Sequence, residues 1–280
     1  MCFGSAGTQA AGLWEFLKEG AMSKALHAGR AASAGVFSAY LAENGFTAAS
    51  KILEGEKGFC RALSSAPHLE KITAGSSFDN LKIQHNSFKP YACCKHAHAA
   101  IYGAQVLRSK YNLLPQNIKK VEIYVNNITD FLINNPAPQN VYGCKFSIQY
   151  CVAAALVYGK VGIDEFNAGV RSSAAIREMM DKIVVIKDRE QEAINRENSA
   201  KLASKIIITI NDGNTYKMQV DYPKGDPDNP MTWEESSEKF SLLVKNICGA
   251  EKTETLCSTI KTLEQIDDIS AAFREIFNIN

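Results

Sequence analysis

The sequence carries almost no net charge, no long apolar run and none of the short signatures that mark nucleotide or metal enzymes. Its 31 Lys plus Arg are nearly cancelled by 30 Asp plus Glu, so no overall field is available to hold nucleic acid or an anionic membrane surface. An anionic ligand must then be met by a local cluster of cations. No stretch approaches the roughly 20 apolar residues of a membrane span, and Met1 to Trp14 lacks a basic region followed by an apolar core. Neither export nor membrane insertion is expected, and a cytoplasmic location is. There is no G-x-G-x-x-G, phosphate-binding lysine loop, H-E-x-x-H or G-x-S-x-G. The eight cysteines include no C-x-x-C pair and lack the dense spacing of a disulfide scaffold, which points to buried thiols in a reducing compartment. No internal repeat is present.

What remains is an ordinary globular composition, 46% apolar and 22% charged over 280 residues, enough for one large or two smaller domains. From Gly4 to about Ser65 the chain is rich in Ala, Gly, Leu and Ser at helical spacing. The pattern predicts a helix from Ser23, read as its N-cap, to a stop at Asn44-Gly45. Further helices are expected over Ala48–Leu53 and Gly58–Leu63.

The character changes after Gly75. Lys119–Asn126 alternates, with Val121, Ile123 and Val125 on one face, and Ile183–Ile186 and Lys205–Ile210 are β-branched runs. Asp212-Gly213 marks a hairpin. Helices are expected over Ala97–Lys110, Cys144–Tyr158 and Asp188–Lys201. Thr232 and Glu235 have capping-box spacing, opening a helix that carries Phe240, Leu242, Leu243 and Ile247. The fold class is therefore α+β: a mostly helical domain formed by both chain ends (1–86 and 229–280), with a smaller α+β lid (87–228) inserted between them. The last helices are expected to pack back onto the first.

The densest functional-looking stretch is Lys89-Pro90-Tyr91-Ala92-Cys93-Cys94-Lys95-His96-Ala97-His98. Pro90 holds Lys89 extended, and the alanine-rich run after His98 starts a helix, so both histidines fall at a loop-to-helix junction. Such a junction favours an anion, and neighbouring Lys and His strengthen that preference for a carboxylate. Other readings stand beside this one. His96 is equally suited to solvent, and Cys93 and Cys94 to packing as small hydrophobes. Cys94 and His98 at i and i+4 suggest metal ligands, but no second ligand pair has a recognisable spacing, so no metal is expected. Lys24, near a helix N-terminus, sits unfavourably with the dipole unless an anion is beside it. Tyr150, by itself, reads as a core tyrosine with a hydroxyl that needs a partner.

Taken together, several segments resemble the MmgE/PrpD family in order and approximate spacing: Gly12-Leu13-Trp14-Glu15-Phe16, Lys24-Ala25-Leu26-His27-Ala28-Gly29-Arg30, Lys89-Pro90-Tyr91 through His98, Phe146-Ser147 with Gln149-Tyr150, and Gly225-Asp226-Pro227 with Asn229-Pro230. The resemblance implies a large helical domain with an inserted α+β lid, a homodimer, and cofactor-independent proton chemistry beside a carboxylate of a small polycarboxylate substrate. It also implies catalytic roles for Lys24, Lys89, His98 and Tyr150, with His96 as a further candidate and Lys24, Lys89 and Cys94 contacting substrate. The resemblance covers only about the last three-fifths of a typical member. A separate chain supplying the missing N-terminal helices is therefore a second expected partner.

On that resemblance the expected activity is a lyase of the 2-methylcitrate dehydratase type. Epimerisation of the iminodisuccinate kind is the alternative, and a split or truncated subunit without activity alone is a further one. Some members carry a histidine where this sequence has Cys94, which disfavours decarboxylation. The expected chemistry abstracts a proton next to a carboxylate, with lysines as fixed cations for the developing aci-carboxylate and a neutral histidine as base.

Overall fold

The computed structural model describes residues 1–72, 74 and 81–277. The change of character placed after Gly75 lies outside them. The N-terminal part is helical: α1 (Cys2–Gly7), α2 (Phe16–Glu19), α3 (Ser23–Glu43) and α4 (Phe59–Leu63). The long helix starts one residue away from the expected cap. Met22 occupies the N-cap position and Ser23 is already helical, with no side-chain capping bond. Its stop is as expected, at Asn44 followed by Gly45 in the left-handed region (φ 78°). Ala48–Leu53 is not a helix but a series of turns closed by Gly55 N–H to Lys51 O (2.8 Å) and Phe59 N–H to Ile52 O (2.7 Å). So short a run, followed by Gly55 and Gly58, cannot repay helix nucleation.

The α+β part contains α5 (His98–Lys110), β1 (Ile118–Val125), α6 (Asn127–Ile133), α7 (Val141–Lys145), α8 (Ile148–Tyr158), α9 (Ala168–Arg171), α10 (Ala174–Asp181), β2 (Ile183–Lys187), α11 (Arg189–Glu197), β3 (Ser204–Ile210) and β4 (Thr215–Val220). The helix expected over Cys144–Tyr158 is split in two because the Ser147 hydroxyl accepts the Tyr150 N–H at 3.1 Å and caps α8 afresh. Asp188 likewise caps α11, which ends at Glu197, short of the expected Lys201.

The four strands form one mixed sheet in the order β2-β1-β3-β4, with β1 parallel to β2 and antiparallel to β3. Gly213 (φ 93°) turns the β3–β4 hairpin. Val121, Ile123 and Val125 of β1 and Ile206 and Ile208 of β3 are fully buried on the shared face, against which α5 and α8 pack. Each such side chain contributes about 1.5–3 kcal/mol by leaving water. Gly103 lets α5 approach the sheet, since a Cβ there would lie 2.8 Å from Ile206 Cγ2. α8 is buried from Ile148 through Leu156 and forms the centre of the molecule.

Three helices close the described chain: α12 (Trp233–Cys248), α13 (Ala250–Lys261) and α14 (Ile269–Phe277). The capping box is made in full, Thr232 Oγ1 accepting from Glu235 N (3.2 Å) and Glu235 Oε2 accepting from Thr232 N (2.7 Å). The principal contacts of these helices run between α12 and α13 and between α13 and α14, while those of α3 are with α1. Return of the last helices onto the first is not among the principal contacts of the described residues. Of the expected apolar face of α12, Leu242 (65%) and Ile247 (82%) remain exposed. No helix among the described residues is long and apolar enough to cross a membrane.

Candidate active site

The segment from Phe88 to Cys94 is irregular, bending at Tyr91–Cys93, and is fixed from several sides. Phe88 N–H donates to Gly225 O (2.8 Å), Ala92 N–H to Val161 O (3.2 Å) and Cys94 N–H to Lys145 O (3.0 Å). Lys239 of α12 donates to Lys89 O (2.6 Å). Below this, Lys95 Nζ bonds Ser87 Oγ (2.7 Å) and the buried Asp226 carboxylate (3.1 Å). The Gly225-Asp226 turn is thus the anchor of the Lys89 motif, which explains why two sequence segments so far apart belong to one pattern.

This segment forms one wall of a cleft of about 880 Å³, lined by Lys24, Lys89, Cys93, Cys94 and Phe146 among others. Lys24 reaches it from the first turn of α3, with Nζ 5.0 Å from the Phe146 ring centroid. Six lysines line the cleft: Lys24, Lys89, Lys145, Lys160, Lys224 and Lys239. Lys160 pairs with Glu165 (3.3 Å) and Lys224 with Glu235 (2.9 Å). Among the described residues the other four form no ion pair; Asp164 and Glu238 also line the cleft, which keeps a positive balance because six lysines face four carboxylates. Lys89 Nζ instead donates to Cys93 O (3.1 Å).

The remaining sequence candidates lie around the cleft rather than on its surface. His96 is half-buried, its Nδ1 2.8 Å from Thr129 Oγ1. Burial, then the Lys95 and Lys24 charges, lower its pKa and favour the neutral ring. His98 opens α5, is 1% exposed and stacks edge-on against Tyr91 at 5.0 Å. Cys94 and His98 do not share one helix face, because Cys94 stands before a 3-10 turn and His98 begins the α-helix after it. Tyr150 is buried, and its hydroxyl donates to the Glu165 carbonyl. It lines a neighbouring cavity of about 750 Å³ with Arg171 and Arg177. Glu165, whose carbonyl accepts from Tyr150, lines the lysine cleft.

Among the described residues no group of three or more His, Cys, Asp and Glu is placed to hold a metal. The sequence reading missed Lys145 and Lys239. Lys145 directly precedes the Phe146-Ser147 motif and had a local signal. Lys239 had none, as only the packing of α12 brings it to the cleft.

A helical part and an α+β part meet at a lysine-lined cleft, with the basic segment pinned by a glycine turn. Residues 1–72 match the MmgE/PrpD N-terminal domain and residues 91–265 the MmgE/PrpD C-terminal domain, and the chain belongs to that family. It is 27% identical over 285 residues to the cis-aconitate decarboxylase-like protein oryM of Aspergillus oryzae, covering 95% of this chain and 57% of that protein. It is 26% identical over 254 residues to the cis-aconitate decarboxylase of Homo sapiens, covering 89% and 51%. A mitochondrial 2-methylcitrate dehydratase of Yarrowia lipolytica is 24% identical over 136 residues, covering 46% and 26%. The chain spans about half the length of the first two of these relatives.

Proposed function

We propose that this chain forms the cationic half of a lyase site for a small polycarboxylate, working by proton transfer at a carbon next to a carboxylate. The observation that carries the reading is the convergence of unpaired Lys24 and Lys89, from the two parts of the chain, on one cleft. A carbon acid of this kind reacts only if the aci-carboxylate is stabilised as it forms, and fixed ammonium groups in a partly closed cleft do so without reorganisation. His96, favoured as a neutral ring and held by Thr129 behind the cleft surface, takes the proton in this reading through one bridging water. Tyr150 is a positioning residue in this reading, holding Glu165 and with it the cleft wall.

Within this chemistry we favour dehydration of the 2-methylcitrate type, because Cys94 and no imidazole lines the cleft at that position. Decarboxylation is the second reading, supported by alignments to cis-aconitate decarboxylases that span 89–95% of the chain. Dehydration abstracts the proton, forms the aci-carboxylate carbanion and expels the β-hydroxyl, whereas decarboxylation forms its carbanion by losing carbon dioxide and then takes up a proton; both develop negative charge that the lysines can meet. The exposed Leu26, Phe37 and Tyr40 of α3 support cover by further helices, from a second copy or a separate chain.

The test is calorimetric titration of citrate and tricarballylate into the protein, alone and with a relative's N-terminal helices added. Lys24→Ala and Lys89→Ala are each expected to weaken binding by about 1.5–3 kcal/mol, the size of a charge-assisted hydrogen bond, whereas Lys110→Ala is neutral. Equal affinity in all three variants removes the proposal.

A further inference from the structure

The lining of the lysine cleft changes character along α12. Glu235, Glu238, Lys239, Leu242, Leu243 and Asn246 all line it, and their three- and four-residue spacing puts them on one stripe of the helix. Lys239 fixes the polar end of that stripe, its Nζ donating to Lys89 O at 2.6 Å. Leu242 and Leu243 follow one turn on, and at ~1.5 Å per residue the stripe runs about 10 Å from Lys239 to Asn246. Ile163, in the loop after α8, lines the same cleft. Leu242 is 65%, Leu243 42% and Ile163 59% exposed, so none of them is closed off by the protein's own core. A leucine exposed singly needs no explanation. Three apolar side chains in one concavity with unpaired lysines do, and the cavity of about 880 Å³ lies near the upper end of small-molecule pockets, which run from roughly 300 to 1,000 Å³.

We propose that the cleft takes an amphiphilic polycarboxylate, with a di- or tricarboxylate head held by Lys24 and Lys89 and an unbranched hydrocarbon arm laid along Leu242, Leu243 and Ile163. This rests on the anion-binding part of the lyase reading and names the substrate class of that same cleft. The stripe beyond Lys239 carries no cation, since Leu242, Leu243 and Asn246 are all uncharged. A carboxylate at the far end of the arm would therefore lose its hydration without gaining a partner there, and the arm is an uncharged one. With C–C bonds of ~1.5 Å, an extended arm of about six carbons reaches from the turn of Lys239 past Leu243. Each methylene removed from water there contributes up to ~0.8 kcal/mol, about fourfold in affinity. The cations fix the head and the leucines read the arm, so the two selections act on different atoms of the ligand.

The experiment titrates tricarballylate and then ethyl-, butyl- and hexylsuccinate into the full chain by calorimetry, with hexanol as an arm that lacks a carboxylate. Affinity is expected to rise about two- to fourfold per methylene along the succinates, a fully buried methylene giving the upper figure, and hexanol should bind far more weakly than hexylsuccinate. Lys89→Ala weakens all three succinates alike. Leu242→Ser combined with Leu243→Ser replaces two exposed side chains, so its circular dichroism should match the parent. It is expected to lower the hexyl-to-ethyl affinity ratio on the order of tenfold, the equivalent of about two methylenes returned to water. Phe131→Ser, on α6 and 85% exposed outside the cleft, keeps the ratio. A flat series in the parent, an undiminished ratio in the double leucine variant, or hexanol binding as tightly as hexylsuccinate would each overturn the arm site. Tricarballylate binding beside a flat series leaves the lyase reading standing and removes only this one, whereas failure of every carboxylate to bind removes both.

Discussion

Gly225 and Phe88 are locked together: Gly225 stands in the left-handed region (φ 87°), accepts the Phe88 N–H at 2.8 Å, and lies so close that an added Cβ would overlap the Phe88 carbonyl oxygen. Gly225→Ala must therefore both strain the turn and push the Lys89 segment away. A left-handed non-glycine costs about 1–3 kcal/mol, and overpacking adds about as much. Chemical denaturation should show a loss of about 2–5 kcal/mol, together with weakened citrate binding. Stability within 0.5 kcal/mol of the parent, the usual scatter of a neutral surface change, would show that the turn is not a constraint.

The buried Asp226 carboxylate holds both Lys95 and Ser87. Asp226→Ala leaves a part-buried ammonium without its partner, and an uncompensated charged group of this kind costs about 1–3 kcal/mol. The expected signature is a lower thermal midpoint that Asp226→Ala with Lys95→Met partly restores. An additive double variant would contradict the pairing.

The α12 capping box gives the stability a pH dependence of known sign. Burial raises the Glu235 carboxyl, but the Thr232 N–H and Lys224 outweigh it and leave it below its ordinary value of 4.5. A carboxyl depressed in the folded state stabilises above its unfolded pKa, and that contribution is lost as pH falls through the folded one. Stability should therefore decline below about pH 4.5, less steeply in Glu235→Gln. Thr232→Ala should cost about 1 kcal/mol at neutral pH. Parallel pH curves for parent and Glu235→Gln would refute the linkage.

Much of the α+β sheet was legible because its strands alternate cleanly. Val121, Ile123 and Val125, the Ile206 and Ile208 pair, and the Asp212-Gly213 turn all carry their signal within a few residues. Local signals failed where tertiary contacts decide. Nothing in Ala48–Leu53 says that turns will replace a helix, and Ser23 had the chemistry of a cap but not the position. In the candidate site, Lys24, Lys89 and Cys94 reach one cleft, as the motif pattern implied. His96, His98 and Tyr150 stand behind its surface, a distinction that depends on which way each side chain turns after the loop is folded.

The cleft wall is tied by bonds between residues 150 and 139 positions apart, Lys239 to Lys89 and Ser87 to Asp226. Closing such long loops comes late in folding, so no partly folded fragment can present this surface. Ligand affinity is consequently coupled to the unfolding of the entire α+β unit rather than to a local opening. At a hundredfold excess over its dissociation constant, a bound carboxylate would add about 2.7 kcal/mol to the global unfolding free energy. Amide exchange would then slow across β1 and β3, far from any atom that the ligand touches.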